Sequence, residues 1–215
     1  MMILDGKKIV FLGDSITRGA YLTNENDCYA ERVKRAFQWE MFANHSVPGS
    51  RIGEYIGPDP KRIKGSFLER YPNMPDDMDI VVVFGGTNDF GIGNAPMGDS
   101  WDEKPETFCG AVNLLMKGLK AKYPEAIKVV VTPLHRKNEH VANEFSGAVL
   151  DEYVKILCDK AKENGFRIFD LRSAASLSPC EEYYKELIIE DGIHPNEKAH
   201  ELIAIEFIQY LEKLN

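Results

Sequence analysis

The chain has 215 residues, 44% of them hydrophobic, and a formal net charge of -8. That length and apolar content fit one globular domain, residues 1–215, large enough to bury a core. The acidic excess argues against nucleic acid or an anionic membrane as partner, since both reward clustered Lys and Arg.

The opening "MMILDGKKIVFLG" breaks its apolar residues with Asp5, Lys7 and Lys8, so it reads as neither a signal peptide nor a spanning segment. The expected location is cytoplasmic, with no membrane insertion. A strand is predicted at residues 9–12 and a weaker one at 41–43. Further β-branched runs predict strands at Ile80–Phe84, Ile127–Val131 and residues 166–169. Continuous apolar runs of this kind suit strands covered on both faces. Between them, Phe108, Val112, Leu115, Met116 and Leu119 form one helical stripe, and Phe145, Val149, Tyr153, Leu157 and Ala161 form a second that Asn164-Gly165 ends. Ile203, Ala204, Phe207, Ile208 and Leu211 mark a last helix, with Pro195 suited to its first turn. Alternating strands and helices predict an α/β fold, a three-layer α/β/α sandwich around a parallel sheet of about five strands. Residues 85–105, rich in Gly, Pro and Asn, read as the longest loop. Cys28, Cys109, Cys158 and Cys180 show no metal-ligand spacing and read as free thiols.

Sheets of this type carry their chemistry at the carboxyl ends of the strands. Ser15 follows the first strand in "VFLGDSITRG", Gly49 the second, Asn88 the third, and Asp191 and His194 follow the last. A serine hydroxyl is a weak nucleophile unless a base lies within hydrogen-bond reach, an orienting group holds that base, and donors await the oxyanion. Among His45, His135, His140, His194 and His200, only His194 has an acid placed to hold its ring in a simple local way. In "EDGIHPNEKAH", Gly192 permits a tight turn and Pro195 keeps His194 out of the helical region, so Asp191 can reach one ring nitrogen. The competing reading makes Asp191 and His194 a cap for the last helix. In "VVVFGGTNDFG", Gly85 and Gly86 would let the Asn88 amide point into the cleft, although an Asn in this setting is often a plain turn residue. Pro48-Gly49 reads equally as a turn or as a free backbone N–H.

Together, "FLGDSITRG", "SVPGS", "GGTND" and "DGIHPN" resemble the four blocks of the SGNH or GDSL hydrolases, in family order from residue 11 to 196. The second block is the loosest, with Gly53 and Gly57 close to Gly49. The resemblance implies a flavodoxin-like sandwich and a serine esterase with Ser15 as nucleophile, His194 as general base and then acid, and Asp191 orienting His194. It likewise implies an oxyanion hole made of the Ser15 and Gly49 N–H groups and the Asn88 amide. No cofactor and no metal are expected, and the expected partner is a small acylated substrate.

The nucleophile-elbow motif GxSxG and the metalloprotease motif HExxH are both absent. A rival from another class is a binding module holding an anion at "GDSITRG", but that stretch lacks P-loop spacing and Asp14 would repel phosphate. "FGGTND" resembles the version of the third block found in esterases that remove acetyl or other short acyl groups from carbohydrates. A lysophospholipase or thioesterase is the alternative, and hydrolase and acyltransferase are not separable at this level. Phe90, Met97 and Trp101 are candidates to line the acyl or sugar pocket.

Overall fold

The computed structural model describes residues 3–54, 65–179 and 181–214. Gly57 and Cys180 lie outside them. Five strands form one sheet in the order β2-β1-β3-β4-β5: β1 Lys8–Gly13, β2 Met41–Ser46, β3 Ile80–Phe84, β4 Ile127–Val131 and β5 Arg167–Phe169. Every neighbouring pair is parallel.

The sheet is central because its middle strands are apolar on both faces. Ile9 and Phe11 of β1 enter one core, while Val10 and Leu12 enter the other. All four are fully buried, and each such side chain contributes roughly 1.5–3 kcal/mol. Of the eight α-helices among the described residues, α2 (Tyr29–Ala36) and α8 (Glu197–Glu212) cover the first face. The opposite face is covered by α3 (Phe67–Arg70), α5 (Phe108–Lys122) and α6 (Leu150–Glu163). The short helices α1 (Ser15–Arg18), α4 (Thr87–Gly91) and α7 (Glu181–Glu186) lie in connections.

Several boundaries differ from the sequence reading. β2 runs past Ala43 through Asn44 and His45 to Ser46, and as an edge strand it tolerates those polar residues. β5 begins at Arg167, after Phe166. Phe145 belongs to no helix: α6 begins at Leu150 and Phe145 is exposed. Pro195 precedes the last helix, pairing with Ile188 in an isolated bridge, and the N-cap is Asn196. The 85–105 loop is interrupted by α4. Cys28, Cys109 and Cys158 are free thiols.

Register decides where the site lies. Gly13 pairs with both Ser46 and Phe84, Phe84 with Val131, and Val131 with Phe169, so all five strands end in one row. The chain crosses from one side of β1 to the other between β2 and β3, which opens a crevice beside the end of β1. Among the described residues, no helix is long and apolar enough to cross a membrane.

Candidate active site

Ser15 opens α1 directly beyond β1. Asp14 is its N-cap, its Oδ1 accepting the Ile16 N–H at 3.0 Å. As the first residue of the helix, Ser15 has an N–H outside the helical ladder. Its hydroxyl is buried at the crevice floor and lies 2.7 Å from His194 Nε2.

His194 arrives from a connection between β5 and α8, positioned by a turn of four residues. Asp191 Oδ1 accepts the Ile193 N–H at 2.8 Å and the His194 N–H at 3.0 Å, and Gly192 sits at φ 74. The other oxygen, Oδ2, lies 2.5 Å from His194 Nδ1. A carboxylate at Nδ1 holds the ring proton there and leaves Nε2 as the acceptor facing Ser15. Burial pushes the Asp191 carboxyl up, but the His194 N–H, the His194 ring and the Ile193 N–H outweigh it and hold it below its usual range. The pair does not cap the last helix, because Asn196 Oδ1 accepts the Ala199 N–H.

Asn88 lies in α4. Gly86 adopts φ 107, and a Cβ on Gly85 would fall 2.5 Å from the Phe67 ring, so both positions require glycine. The Asn88 amide donates to Ser50 O at 3.0 Å and weakly to Asp14 Oδ2 at 3.4 Å. It therefore sits between the residue following Gly49 and the residue preceding Ser15. Gly49 has φ 73, and its N–H has no partner among the described residues. Ser15, Gly49, Asn88, Asp191 and His194 thus come together from four connections.

Three further residues hold these loops in place. Asp89, wholly buried, accepts the Ile52 and Gly53 N–H groups at 3.0 Å each and ties the third block to the segment after the second. Gly53 is thereby committed to Asp89, while Gly49 keeps its donor free. Arg70 donates to Gly13 O at 3.0 Å, to Ser50 Oγ at 2.8 Å and to His45 O, joining the ends of β1 and β2. Burial lowers its pKa to about 10, against the attraction of Asp14. Tyr21, at φ 73, lays its ring 4.5 Å from that of His194. The "GGTND" block displayed Asp89 openly, whereas nothing local in the sequence marked Arg70 or Tyr21.

Of the remaining histidines, His135 corrects the reading that only His194 has a local acid. Its Nδ1 lies 2.9 Å and 3.1 Å from the Glu139 oxygens. His200 is buried, accepts the Tyr29 N–H on Nδ1 at 3.2 Å, and is pushed down to about 3 by desolvation. Of the candidate lining residues, Phe90 borders a cleft beside the site, Met97 packs on the core, and Trp101 is exposed. Among the described residues, no cluster of three His, Cys, Asp or Glu side chains could hold a metal.

A parallel α/β/α sandwich with a serine, a histidine and an aspartate in hydrogen-bond sequence at its carboxyl edge has the layout of a serine hydrolase. The model of the GDSL-like lipase/acylhydrolase family matches residues 11–202, and the chain belongs to that family. Its members are named for acyl-ester hydrolysis, and this chain is a hydrolase of that kind. A crystal structure of a Lactobacillus plantarum protein matches at 26% identity and a TM-score of 0.84, covering 98% of this chain and 99% of that one. A lipase/acylhydrolase from Enterococcus faecalis matches at 20% identity and TM-score 0.64, covering 96% and 95%. A member of the lipolytic G-D-S-L family from Veillonella parvula matches at 17% and 0.63, covering 96% and 99%. Among curated proteins none matches the chain.

Proposed function

We propose that the protein is a serine esterase in which Ser15 attacks the ester carbonyl, His194 carries the proton and Asp191 orients His194. The observation that carries this reading is the chain of contacts from Ser15 Oγ through the His194 ring to Asp191, 2.7 Å and 2.5 Å. In the first half-reaction the Ser15 proton passes to Nε2 as Oγ bonds to the carbonyl carbon. The resulting oxyanion takes hydrogen bonds from the Ser15 and Gly49 N–H groups and the Asn88 amide, which must then turn from Ser50 O. Collapse breaks the bond to the alcohol oxygen, which leaves with the proton from His194. Water then adds to the acyl-enzyme, giving its proton to His194, and the acid departs as Ser15 regains a proton. The imidazolium formed in each half is stabilised by Asp191.

The substrate we infer is a short-chain ester, an acetyl ester of a carbohydrate or other small molecule, on the strength of the "FGGTND" block. Longer acyl chains, as in a lysophospholipase or thioesterase, are the second reading, favoured by the apolar Ile92, Val141 and Phe145 exposed on the neighbouring cleft.

Steady-state hydrolysis of 4-nitrophenyl esters from acetate to decanoate tests this, with Ser15→Ala as control. Wild type turns over with a maximum at acetate, and Ser15→Ala loses on the order of 10⁶ in kcat while remaining folded. Equal rates for the two proteins overturn the mechanism. A maximum at longer chains selects the second reading.

A further inference from the structure

A cleft of about 400 Å3 that the reaction above leaves unused is lined by Phe90 and Gly91 of α4, just beyond Asn88, and by Arg136 and Lys137. Arg136 and Lys137, on the connection leaving β4, tie it to both halves of the site. The Arg136 guanidinium donates through Nη1 to Thr87 O at 2.9 Å and Thr87 Oγ1 at 3.0 Å, one residue before Asn88. The Lys137 N–H donates to Gly192 O at 2.8 Å, inside the turn that carries Asp191 and His194. Its side chain runs along the open face of Gly192, where a Cβ would fall 2.4 Å from Lys137 Cδ.

Two properties of the cleft point to a ligand. The first is apolar: Ile92, Val141 and Phe145 are 59%, 63% and 60% exposed, and all three face this one cleft together with Phe90. Large apolar side chains gathered at the surface mark a binding site rather than scattered surface chance. The second is cationic. Among the described residues, neither Arg136 nor Lys137 forms an ion pair, and Arg136 Nε is buried with no hydrogen-bond partner. Asp191, Asp14 and Glu139 act on Arg136 from longer range. Among the described residues, the one acid on the cleft wall is Glu144, which is exposed and therefore strongly screened. The Arg136 guanidinium lies over the Phe90 ring, 5.4 Å from its centroid, and with exposed Lys137 sets two cations on an apolar wall, which suits a carboxylate attached to an apolar segment.

We propose that this cleft is a subsite for a carboxylate on the substrate, and that Arg136 and Lys137 make the protein prefer carboxylate-bearing esters to neutral ones of the same size. The inference rests on Ser15 being the nucleophile. Which side of the ester carries the carboxylate is read from two pairs of probes. Mono-4-nitrophenyl adipate against 4-nitrophenyl hexanoate places it on the acyl side, and 3-carboxyphenyl acetate against phenyl acetate places it on the alcohol side.

Each kcat/KM is divided by the probe's spontaneous hydrolysis rate, and the anionic-to-neutral ratio is compared. Wild type shows a ratio of about ten or more in one pair, decreasing as salt is added. Lys137→Gln and Arg136→Gln each lower that ratio by about three- to tenfold, while Arg136→Lys, which keeps the charge, retains most of it. Because Arg136→Gln also removes the bonds to Thr87, its effect is read against Arg136→Lys and against Lys137→Gln. Ser15-dependent hydrolysis with a ratio near one in both pairs overturns the subsite and leaves the esterase standing. A preference that neither Gln variant reduces also overturns it. No Ser15-dependent hydrolysis of any of the four probes overturns the esterase reading beneath it.

Discussion

His135 and His194 are each paired through Nδ1 with a carboxylate three or four residues on or back, and the two pairs occupy different surroundings. Glu139 is buried and shared: beyond the His135 ring it accepts the Arg136 N–H at 3.2 Å and pairs with Arg172 at 3.3 Å, while the Tyr183 hydroxyl donates to His135 O. Asp191 faces solvent and spends all its bonds on its own turn, so the His194 ring is fixed while Nε2 remains available to Ser15. An acid beside a histidine is therefore cheap to build. What separates the pairs is where the second ring nitrogen is delivered, and only the row of strand ends delivers His194 to a buried hydroxyl.

The largest expected effect follows from that difference. His194→Ala lowers kcat by on the order of 10⁶ with little change in melting temperature. Glu139→Ala leaves kcat near wild type but costs about 3 kcal/mol of stability, because it strips Arg172 of one buried partner while Asp151 still holds it. Ester turnover and thermal melts on the two variants check both arms. A Glu139→Ala protein that keeps its stability and loses turnover would reverse the assignment of the pairs.

Asp191→Asn sharpens the point with less disruption. The Asn oxygen can keep the Ile193 and His194 N–H bonds, so the turn survives, but its NH2 then faces Nδ1. The ring is driven to carry its proton on Nε2, where it can no longer accept from Ser15. The expected loss is about 10⁴ in kcat, the scale of a wrong tautomer. A loss below tenfold would mean that the ring is oriented by something other than Asp191, such as the Tyr21 ring that lies tilted against it at 4.5 Å.

Asn88→Ala should lower kcat by about 10²–10³ with KM little changed, the loss that the proposed role of its amide at the developing oxyanion calls for. An effect confined to KM would move Asn88 to substrate binding. The variant also removes the donor to Ser50 O, so a melt accompanies the kinetics.

How far the sequence foretold the molecule follows a physical divide. β1, β3 and β4 were visible because strands buried on both faces must be apolar throughout, and the four strand-end blocks were visible because they are short and self-contained. The Asp191 turn lies within four residues, so spacing alone could suggest it. What stayed hidden depends on contacts across the chain: Asp89 stood in a visible block, but its partners lie 37 and 36 positions away, and Arg70 acts on a carbonyl 57 away. Phe145 fell on a helical period by coincidence and instead faces the cleft. Glu139 stood four residues from His135, as local as Asp191 is to His194, but the fold takes it into a buried network rather than to Ser15. β2 and β5 were mis-bounded because edge strands carry polar residues that weaken the apolar signal.

The smallest effect concerns two buried acids, Glu139 of the first pair and Asp14 beside Ser15, which shift in opposite directions. Burial pushes the Glu139 carboxyl up, but His135, the Arg136 N–H and Arg172 overcome it and hold it below its ordinary value. Asp14 is just as buried, with fewer partners: desolvation dominates, the Ile16 N–H opposes it, Asp89 adds to it, and its pKa rises to about 7. Folding therefore tightens the proton on Asp14 and loosens the one on Glu139. The Glu139 contribution is present above its unfolded pKa and is lost as pH falls through the lower folded value. That of Asp14 is fullest below its unfolded pKa of 3.8 and is lost as pH rises toward about 7. Asp14→Asn keeps an oxygen for the Ile16 N–H and removes the titration. Its melting temperature relative to wild type should rise by a few degrees between pH 4 and 7 and then level off. A difference constant across that range would mean that Asp14 stays ionised in the folded protein, held there by Arg70 and the Asn88 amide, and would make it a compensated buried acid like Glu139.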